Sequence, residues 1–277
     1  MSADRPKKHW ARRLVVRGAF VYLLTVTAMW FLENRFVYHP STADAFWTEP
    51  PDPRIRDVWI DANIKGSERL HGWWLPLEGA SEALVICHGN GGNVCTRGPS
   101  LVRFADGLKR SILIFDYPGY GKSPGSPNEE KCYESARAAS RWLLAQGFAS
   151  ERVVIYGESL GGGVATKLAA EVDHRALILM KTFTTLPDVA KSYFPMLPTQ
   201  LLMSNRFDNA SRIKECKRPI LIAGATADSI VPYRFAQRLF EMANEPKRFR
   251  VLEGDEHNSP LPPDFVPEMR QFLEEHP

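Results

Sequence analysis

Short runs of aliphatic residues alternate with helical stretches through most of the chain. Each run is nearly continuous in apolar side chains, which is typical of strands buried on both faces of a sheet. Helices between such strands predict an α/β fold, with a mostly parallel sheet and helices on both faces. The predicted strands are Ala83–Cys87, Ile112–Phe115, Val153–Tyr156, Ala176–Leu179, Ile220–Ala223 and Arg248–Leu252.

Two further runs precede this alternation and begin the domain, which we expect to cover residues 57–277. Val58–Ile60 and Leu70–Trp74 are separated by a polar turn and are typical of an antiparallel pair. Counting this pair as strands one and two, residues 182–218 predict a small cap after strand six. The apolar residues of the cap either pack on the sheet or line a pocket for an acyl chain or a lipid.

The N-terminal part of the chain follows a different pattern. Residues 18–32 contain no charged side chain. Counted from Leu14, the apolar stretch covers about 19 residues, or about 28 Å as a helix. Because the hydrocarbon core of a bilayer is about 30 Å thick, this stretch predicts one transmembrane helix at residues 18–35. Arg17 and Trp30 suit the two membrane interfaces.

Two alternatives to an anchor remain open. The small residues Val26-Thr27-Ala28 would suit cleavage of a signal peptide, and the segment could also be an ordinary helix packed on the domain. As an anchor, its preceding positive charges would keep the N-terminus cytoplasmic and place the domain on the outer side, periplasmic or lumenal. Residues 36–56 are rich in proline and are expected to connect anchor and domain.

Charge is concentrated at the N-terminus. The chain has 277 residues and a formal net charge of +3. Residues 1–17 form a basic tail with six basic residues against one acidic residue, so they carry +5 and the remainder carries −2. The domain itself is not basic, which argues against nucleic-acid binding. The four cysteines show no metal-site spacing, and neither a metal nor an organic cofactor is expected.

One predicted strand leads directly into Gly157-Glu158-Ser159-Leu160-Gly161, which a helix of small residues follows. The pattern Gly-x-Ser-x-Gly alone arises by chance in roughly one chain in ten of this length. Strand, sharp turn and helix in this order predict a nucleophile elbow that exposes the hydroxyl of Ser159. Gly157 and Gly161 would allow the close approach that this turn requires.

Four other loops at the ends of predicted strands carry polar groups, and parallel strands bring such loops to one edge of the sheet. His257 follows the last strand and is the predicted general base. Asp228 is predicted to hold its imidazole. The backbone N–H groups of Asn90 and Leu160 are expected to form an oxyanion hole beside Ser159.

Other residues near these loops are given lesser roles. His88 is expected to hold its glycine-rich loop, and Asp116 to stabilise a turn. The predicted substrate-binding residues are Tyr120, from the loop after Asp116, and Tyr193, Phe194 and Met196, from the cap.

Ser159, Asp228 and His257 follow the chain order of the α/β-hydrolase fold. Together with the elbow, six further motifs make the chain from about Phe36 onward resemble this superfamily, and more narrowly its membrane-anchored abhydrolase-domain serine hydrolases. The motifs are Phe36-Val37-Tyr38-His39-Pro40, His88-Gly89-Asn90-Gly91-Gly92-Asn93, Asp116-Tyr117-Pro118-Gly119-Tyr120-Gly121, Phe183-Thr184-Thr185-Leu186, Phe207-Asp208-Asn209 and His257-Asn258.

The resemblance implies Ser159 as nucleophile, His257 as base, Asp228 as acid, and Asn90 and Leu160 as oxyanion donors. The chain departs from the family where Glu256 replaces the usual glycine before the histidine, which could narrow the approach to the base. The expected activity is hydrolysis of carboxylic esters or thioesters, with acyl or lipid-like substrates, through an acyl-enzyme. Amide or peptide hydrolysis by the same triad and a catalytically silent scaffold for lipid or protein remain as alternatives.

Overall fold

A computed structural model describes residues 6–277 of the chain, with side chains from residue 10 onward. The first five residues of the predicted basic tail lie outside the described residues. Helix α1 (Pro6–Phe31) leads into a short helix α2 (Glu33–Val37). The predicted boundary between tail and anchor at residue 18 falls inside α1, because arginine, alanine and leucine before it are good helix formers. By length and composition, Trp10–Phe31 could cross a membrane, a test that a signal sequence also passes.

The domain is built on one sheet of eight strands. They are β1 (Arg56–Ile64), β2 (Ser67–Leu75), β3 (Ala83–Cys87), β4 (Ser111–Phe115), β5 (Val153–Glu158), β6 (Ala176–Met180), β7 (Ile220–Ala225) and β8 (Lys247–Leu252). Their order is β8-β7-β6-β5-β3-β4-β2-β1. Strand β2 is antiparallel to both of its neighbours, and every other neighbouring pair is parallel. The prediction of a mostly parallel sheet that opens with an antiparallel pair is confirmed.

Helices cover both faces of this sheet, as predicted. They are α3 (Gly98–Leu108), α4 (Glu129–Ala145), α5 (Leu160–Glu171), α6 (Leu186–Tyr193), α7 (Thr199–Leu202), α8 (Asn209–Arg212), α9 (Arg234–Met242) and α10 (Phe265–Glu275). Successive strand residues point to opposite faces. Val85 therefore packs in the core beneath α4, α5 and α9, whereas Leu84 and Ile86 pack in the core beneath α3 and α10.

The predicted cap after β6 is present and small, with α6, α7 and α8 as its helices. The side chain of Thr185 caps the start of α6 by accepting from the N–H of Asp188. Thr199 Oγ1 donates to the Pro187 carbonyl at 2.9 Å and so ties α7 to α6. The cap lies over the carboxyl edge of the parallel strands, where it shares a cavity with Ser159.

The predicted connector, residues 36–56, packs on the domain through its first residues. His39–Pro40 pairs in parallel with Gly91–Gly92, in the loop after β3. Tyr38 is buried, and its hydroxyl donates to Asn205 Oδ1 in the cap segment at 2.6 Å. This part of the connector therefore belongs to the folded domain and touches both the cap and the loop that carries Asn90.

Candidate active site

Ser159 stands at the sharp turn between β5 and α5. Its φ is +53°, a left-handed conformation that is strained for any residue except glycine. A Cβ at Gly157 would lie 2.5 Å from the Ala165 Cβ, and one at Gly161 would lie 2.0 Å from the Cys87 carbonyl oxygen. Since only glycine fits at both positions, the strand and helix can close around the serine as the sequence pattern indicated.

The side chains of Ser159, His257 and Asp228 form a chain of hydrogen bonds. His257 Nε2 lies 2.9 Å from Ser159 Oγ, and His257 Nδ1 lies 2.7 Å from Asp228 Oδ2. A carboxylate only accepts, so Nδ1 carries the proton and Nε2 is left to accept from the serine hydroxyl. The other oxygen, Asp228 Oδ1, accepts from the N–H groups of Ile230 (2.9 Å) and Val231 (2.7 Å), which fix the carboxylate.

The histidine and aspartate of this chain are shielded from bulk water. The side chain of His257 is 11% exposed and that of Asp228 is 1% exposed. Charge that develops on the imidazole would therefore be stabilised by the carboxylate more strongly than in water. The arrangement can remove a proton from a serine hydroxyl and hold the resulting positive charge in place.

Lys181, which follows β6, holds the loop that carries His257. Its ammonium donates to the carbonyl oxygens of Glu256 (3.0 Å), His257 (3.2 Å) and Ser259 (3.1 Å). Lys181 is buried, and burial lowers the pKa of its amine. Three charge-assisted bonds give the loop a fixed position. The role of Lys181 is not among the predictions from sequence, although a lysine directly after a buried strand is a signal that points to it.

Glu256 does not obstruct His257, contrary to the expectation from sequence. Its carboxylate accepts from the Ser229 hydroxyl at 3.0 Å and is not among the groups that line the cavity at Ser159. The side chain points across to the loop that carries Asp228. Glu256 therefore joins the two loops on which the imidazole and its carboxylate partner depend.

Asn90 and Leu160, the predicted oxyanion donors, line the same cavity as Ser159. Leu160 is the first residue of α5, so its N–H has no partner within the helix. The Asn90 side chain donates to the Val37 carbonyl at 2.5 Å and accepts from the Tyr120 hydroxyl at 2.8 Å. These two bonds fix the loop that presents the Asn90 N–H.

The prediction that Tyr120 lines the substrate pocket is wrong. Its side chain is 0% exposed, and its hydroxyl is directed at Asn90. The glycine-rich turn around Tyr120 folds the ring inward, where it packs edge-on against His88 and Tyr117. Tyr120 therefore supports the loop at Asn90 from behind.

The three predicted substrate-binding residues of the cap differ in whether they line a cavity. Tyr193 does not line the cavity at Ser159, because its hydroxyl is directed at the carbonyl oxygens of Ser229 (2.5 Å) and Ile230 (2.8 Å), which share its one hydrogen. Met196 does not line it either and is 83% exposed between α6 and α7. Phe194 lines a neighbouring apolar cavity.

His88 and Asp116 are buried and do not line the cavity at Ser159. His88 Nδ1 lies 2.7 Å from the Gly89 carbonyl oxygen, and burial lowers the pKa of this imidazole. Asp116 Oδ1 accepts from the Val94 N–H at 2.9 Å. Both residues hold loops in place, in keeping with the structural roles expected of them.

Two adjoining cavities surround this site. The first, of about 610 Å³, contains Ser159 and His257 in its wall. The second, of about 280 Å³, is lined mainly by apolar side chains of α1, α2 and the cap, and is called the apolar chamber below. The residues that line both cavities are Val37, Asn90, Leu186, Val189 and Ile230. Space beside the Ser159 hydroxyl therefore continues into a chamber suited to hydrocarbon.

In the part of the chain that the structure describes, no group of three or more His, Cys, Asp or Glu side chains is placed to hold a metal ion. All four cysteines are buried and unpaired. Burial raises the pKa of the Cys216 thiol to about 12.

The chain is similar in sequence to known proteins. A family described as having the alpha/beta hydrolase fold matches residues 82–201. An uncharacterised protein of Mycobacterium tuberculosis is 35% identical over 275 residues, which cover 97% of each chain. The human alpha/beta hydrolase domain-containing protein 17B is 29% identical over 203 residues, which cover 70% of this chain and 67% of that protein.

The fold of this chain also resembles the folds of solved structures. An esterase of Pyrococcus furiosus superposes with a TM-score of 0.69 at 21% identity, covering 86% of this chain and 99% of that one. An acetyl xylan esterase from Paenibacillus has a TM-score of 0.68 at 20% identity, covering 83% and 87%. At this level of identity, the likeness concerns the fold alone.

Proposed function

Because this chain belongs to the α/β-hydrolase family, we propose that it is a serine hydrolase that cleaves carboxylic esters or thioesters of acyl or lipid-like compounds. The observation that carries the proposal is the continuous chain of hydrogen bonds from Ser159 through His257 to Asp228. A serine hydroxyl 2.9 Å from a basic nitrogen, which a carboxylate orients in turn, is an activated nucleophile.

The proposed reaction has two halves. Ser159 Oγ attacks the acyl carbonyl while His257 Nε2 takes its proton, and Asp228 stabilises the imidazolium. The N–H groups of Asn90 and Leu160 stabilise the oxyanion, at about 3 kcal/mol for each donor. The imidazolium then gives its proton to the leaving alcohol or thiol. Water attacks the acyl-enzyme in the same way and restores the serine.

The apolar chamber is the observation that supports the proposal of an acyl substrate. It adjoins the cavity at Ser159 and is lined by side chains such as Leu197, Leu202 and Met203. A carbonyl at the serine could therefore carry a hydrocarbon chain that leaves water for this chamber, and each buried methylene would contribute about 0.8 kcal/mol to binding. Val189, which lines both cavities, would lie along such a chain.

The proposal includes a membrane anchor. Apolar side chains are exposed along the described length of α1, which suits a helix surrounded by lipid. The hydrogen bond from Tyr22 of α1 to the Met196 carbonyl of the cap supports an anchor that stays attached to the domain. Cleavage of a signal peptide after Ala28 would remove this bond. The basic residues before the helix favour a cytoplasmic N-terminus and a periplasmic or lumenal domain.

A series of esters with increasing acyl length tests the function directly. We expect Ser159→Ala to lose at least about 10³-fold in turnover, because only the oxyanion hole and substrate binding would remain. Ser123→Ala is a matched control, since the Ser123 hydroxyl contacts only backbone groups. A Ser159→Ala variant that keeps most of its rate would refute the mechanism.

Two further assays separate the remaining alternatives. Matched ester, thioester and amide substrates distinguish an esterase or thioesterase from an amide hydrolase that uses the same residues. Labelling with a fluorophosphonate probe distinguishes an enzyme from a silent scaffold, because a scaffold would leave Ser159 unlabelled.

A further inference from the structure

The C-terminal half of α1 and the start of α2 contact the cap segment at three successive levels. Just after α1, the Glu33 carboxylate accepts from the Asn205 N–H at 2.8 Å. About one turn earlier, Met29 lines the apolar chamber together with the cap. Two turns before that, the Tyr22 hydroxyl donates to the Met196 carbonyl at 3.1 Å. The cap segment therefore runs beside α1, back towards the N-terminal end of that helix.

One face of α1 makes the contacts of Tyr22 and Met29. Tyr22, Val26 and Met29 are spaced by four and three residues, which places them on one side of α1, and Glu33 follows as the first residue of α2. Val26 and Met29 are half-buried, whereas the residues beside them are exposed. The hydrogen bond of Tyr22 is therefore accompanied by an apolar contact of Met29 on the same side of α1.

The spacing of these contacts sets a depth. From Met29 back to Tyr22, α1 rises about 10 Å. The hydrocarbon core of a bilayer is about 30 Å thick. If α1 spans the bilayer with Glu33 at the polar interface, the cap beside Tyr22 reaches far below the head groups.

The chemistry of this part of the cap suits such a position. Residues 194–203, called the cap tip here, contain no charged side chain, and neither do the residues from 192 to 205 around them. Within the described side chains, Leu201 at 87% and Met196 at 83% are the most exposed of the large apolar residues. Apolar surface of this kind marks contact with a partner or a membrane.

The backbone of the cap tip also meets the demands of lipid, where unpaired N–H groups are costly. Pro195 and Pro198 have no N–H. The N–H groups of Leu197 and Leu201 bond to carbonyls within the tip, and Met196 contributes its carbonyl to Tyr22. Few backbone donors are therefore left to require water.

The nearest positive charge before the tip is Lys191. Its ammonium donates to the carbonyls of Pro195 (2.6 Å) and Leu197 (3.3 Å), and its side chain is exposed. The ammonium therefore lies beside the tip, at the level of Met196. Arg206 and Asp188, which flank the tip in sequence, both bond to Gln200 within it. Charged groups inside a membrane pair with one another or with backbone carbonyls, and each of these three charges has such a polar partner in the tip.

We propose that the cap tip is embedded in the hydrocarbon of the leaflet next to the domain, so that the apolar chamber opens to the bilayer. An acyl chain would then reach Ser159 from the membrane without passing through water. The embedding rests on the proposed anchor, and only the acyl route rests on the proposed hydrolase function.

Depth-dependent quenching tests the embedding. The four native cysteines are buried, so a fluorophore on Met196→Cys or Leu201→Cys can be attached selectively to the full-length chain. Both residues are highly exposed, so neither substitution removes core packing. Leu144→Cys is the control, because Leu144 is 46% exposed at the end of α4, remote from the cap.

In vesicles of phosphatidylcholine and phosphatidylglycerol, we expect both cap-tip probes to be quenched by doxyl-labelled acyl chains. Aqueous iodide should quench them at least about fivefold less than the Leu144 probe, since the hydrocarbon excludes the ion. Equal iodide quenching at all three positions would overturn the proposal. So would a purified chain whose mass shows that α1 has been removed.

The same samples report on the proposed function separately. A chain that reacts with a fluorophosphonate but keeps an aqueous cap tip refutes the embedding alone. A chain with an embedded tip and no labelling of Ser159 refutes the hydrolase function alone.

Discussion

A second set of serine, histidine and aspartate lies in this domain, and it is arranged differently from the set around Ser159. His71 Nε2 lies 2.9 Å from Asp57 Oδ1, and His71 Nδ1 lies 3.3 Å from Asp116 Oδ2. The Ser123 hydroxyl accepts from the His71 backbone N–H and donates to the Asp116 carbonyl, both at 2.9 Å. The imidazole of this set bridges two carboxylates and does not contact the serine side chain.

The difference shows that residue types alone do not make a triad. His71 and Asp116 are 0% exposed and do not line the cavity at Ser159, so no substrate carbonyl could reach them there. Ser159 instead lies on a strained turn in the wall of a cavity of about 610 Å³. Access, and an imidazole placed to accept from the hydroxyl, separate the proposed reactive set around Ser159 from the structural one.

Replacing the aspartate of each set should give opposite results, with the largest effect in the reactive set. We expect Asp228→Asn to lower kcat by about 10³–10⁴-fold, because the amide favours the wrong tautomer of His257. The free energy of unfolding should change little, since the Asn oxygen can still accept from Ile230 and Val231. Steady-state kinetics and denaturant unfolding measure the two effects.

In the second set, Asp116→Ala should lower the free energy of unfolding by about 2 kcal/mol, because the buried Val94 N–H and the His71 imidazole lose their partner. Its kcat should stay within about tenfold of wild type, since Asp116 does not line the cavity at Ser159. If both variants lost activity and stability in the same proportion, the distinction between the two sets would be wrong.

A smaller effect is expected at Lys181, which positions the reactive histidine. Lys181→Met removes three hydrogen bonds to the loop that carries His257, and we expect kcat to fall about tenfold or more with KM nearly unchanged. The rate of fluorophosphonate labelling should fall in parallel, because both reactions need the imidazole in place. An increase in KM alone would mean that Lys181 acts on substrate binding instead.

The smallest effect concerns buried histidines outside the reactive set. Burial lowers the pKa of His88 and His174. Below a pH of about 6.5 the unfolded chain then binds more protons than the folded chain, so stability falls as the pH falls. We expect a loss of about 1 kcal/mol for each histidine between about pH 7.5 and 5.5, measured by denaturant unfolding.

His174→Asn offers the control for this effect, because His174 lies far along the chain from His88 and does not line the cavity at Ser159. The variant should lose about half of the pH dependence in this range. Stability that does not change between these pH values would contradict the assignment of both histidines as neutral buried groups.

Local patterns in the sequence were sufficient for the sheet and for the elbow. Aliphatic runs bounded by polar residues predict buried strands whatever the tertiary context, and Gly157 and Gly161 mark a close approach that no other residue tolerates. His257 could be placed beside Ser159, although 98 positions separate them, because the fold brings the ends of parallel strands to one edge.

Side-chain directions could not be predicted in the same way. Tyr120 and Tyr193 both follow motifs near the site, yet each turns its hydroxyl to a partner that is distant in sequence. Lys181 reaches carbonyls 75 and more positions away. Such contacts depend on how separate loops pack, and composition and periodicity carry no record of that packing.

The short ladder between His39–Pro40 and Gly91–Gly92 limits how this protein can be trimmed. A shortened form without the apolar helix α1 could be designed to begin at residue 57, near the start of β1. That cut also discards Tyr38 and the backbone of Val37 that holds Asn90. The smallest shortened form that keeps the ladder and these contacts therefore begins at Glu33, the first residue of α2.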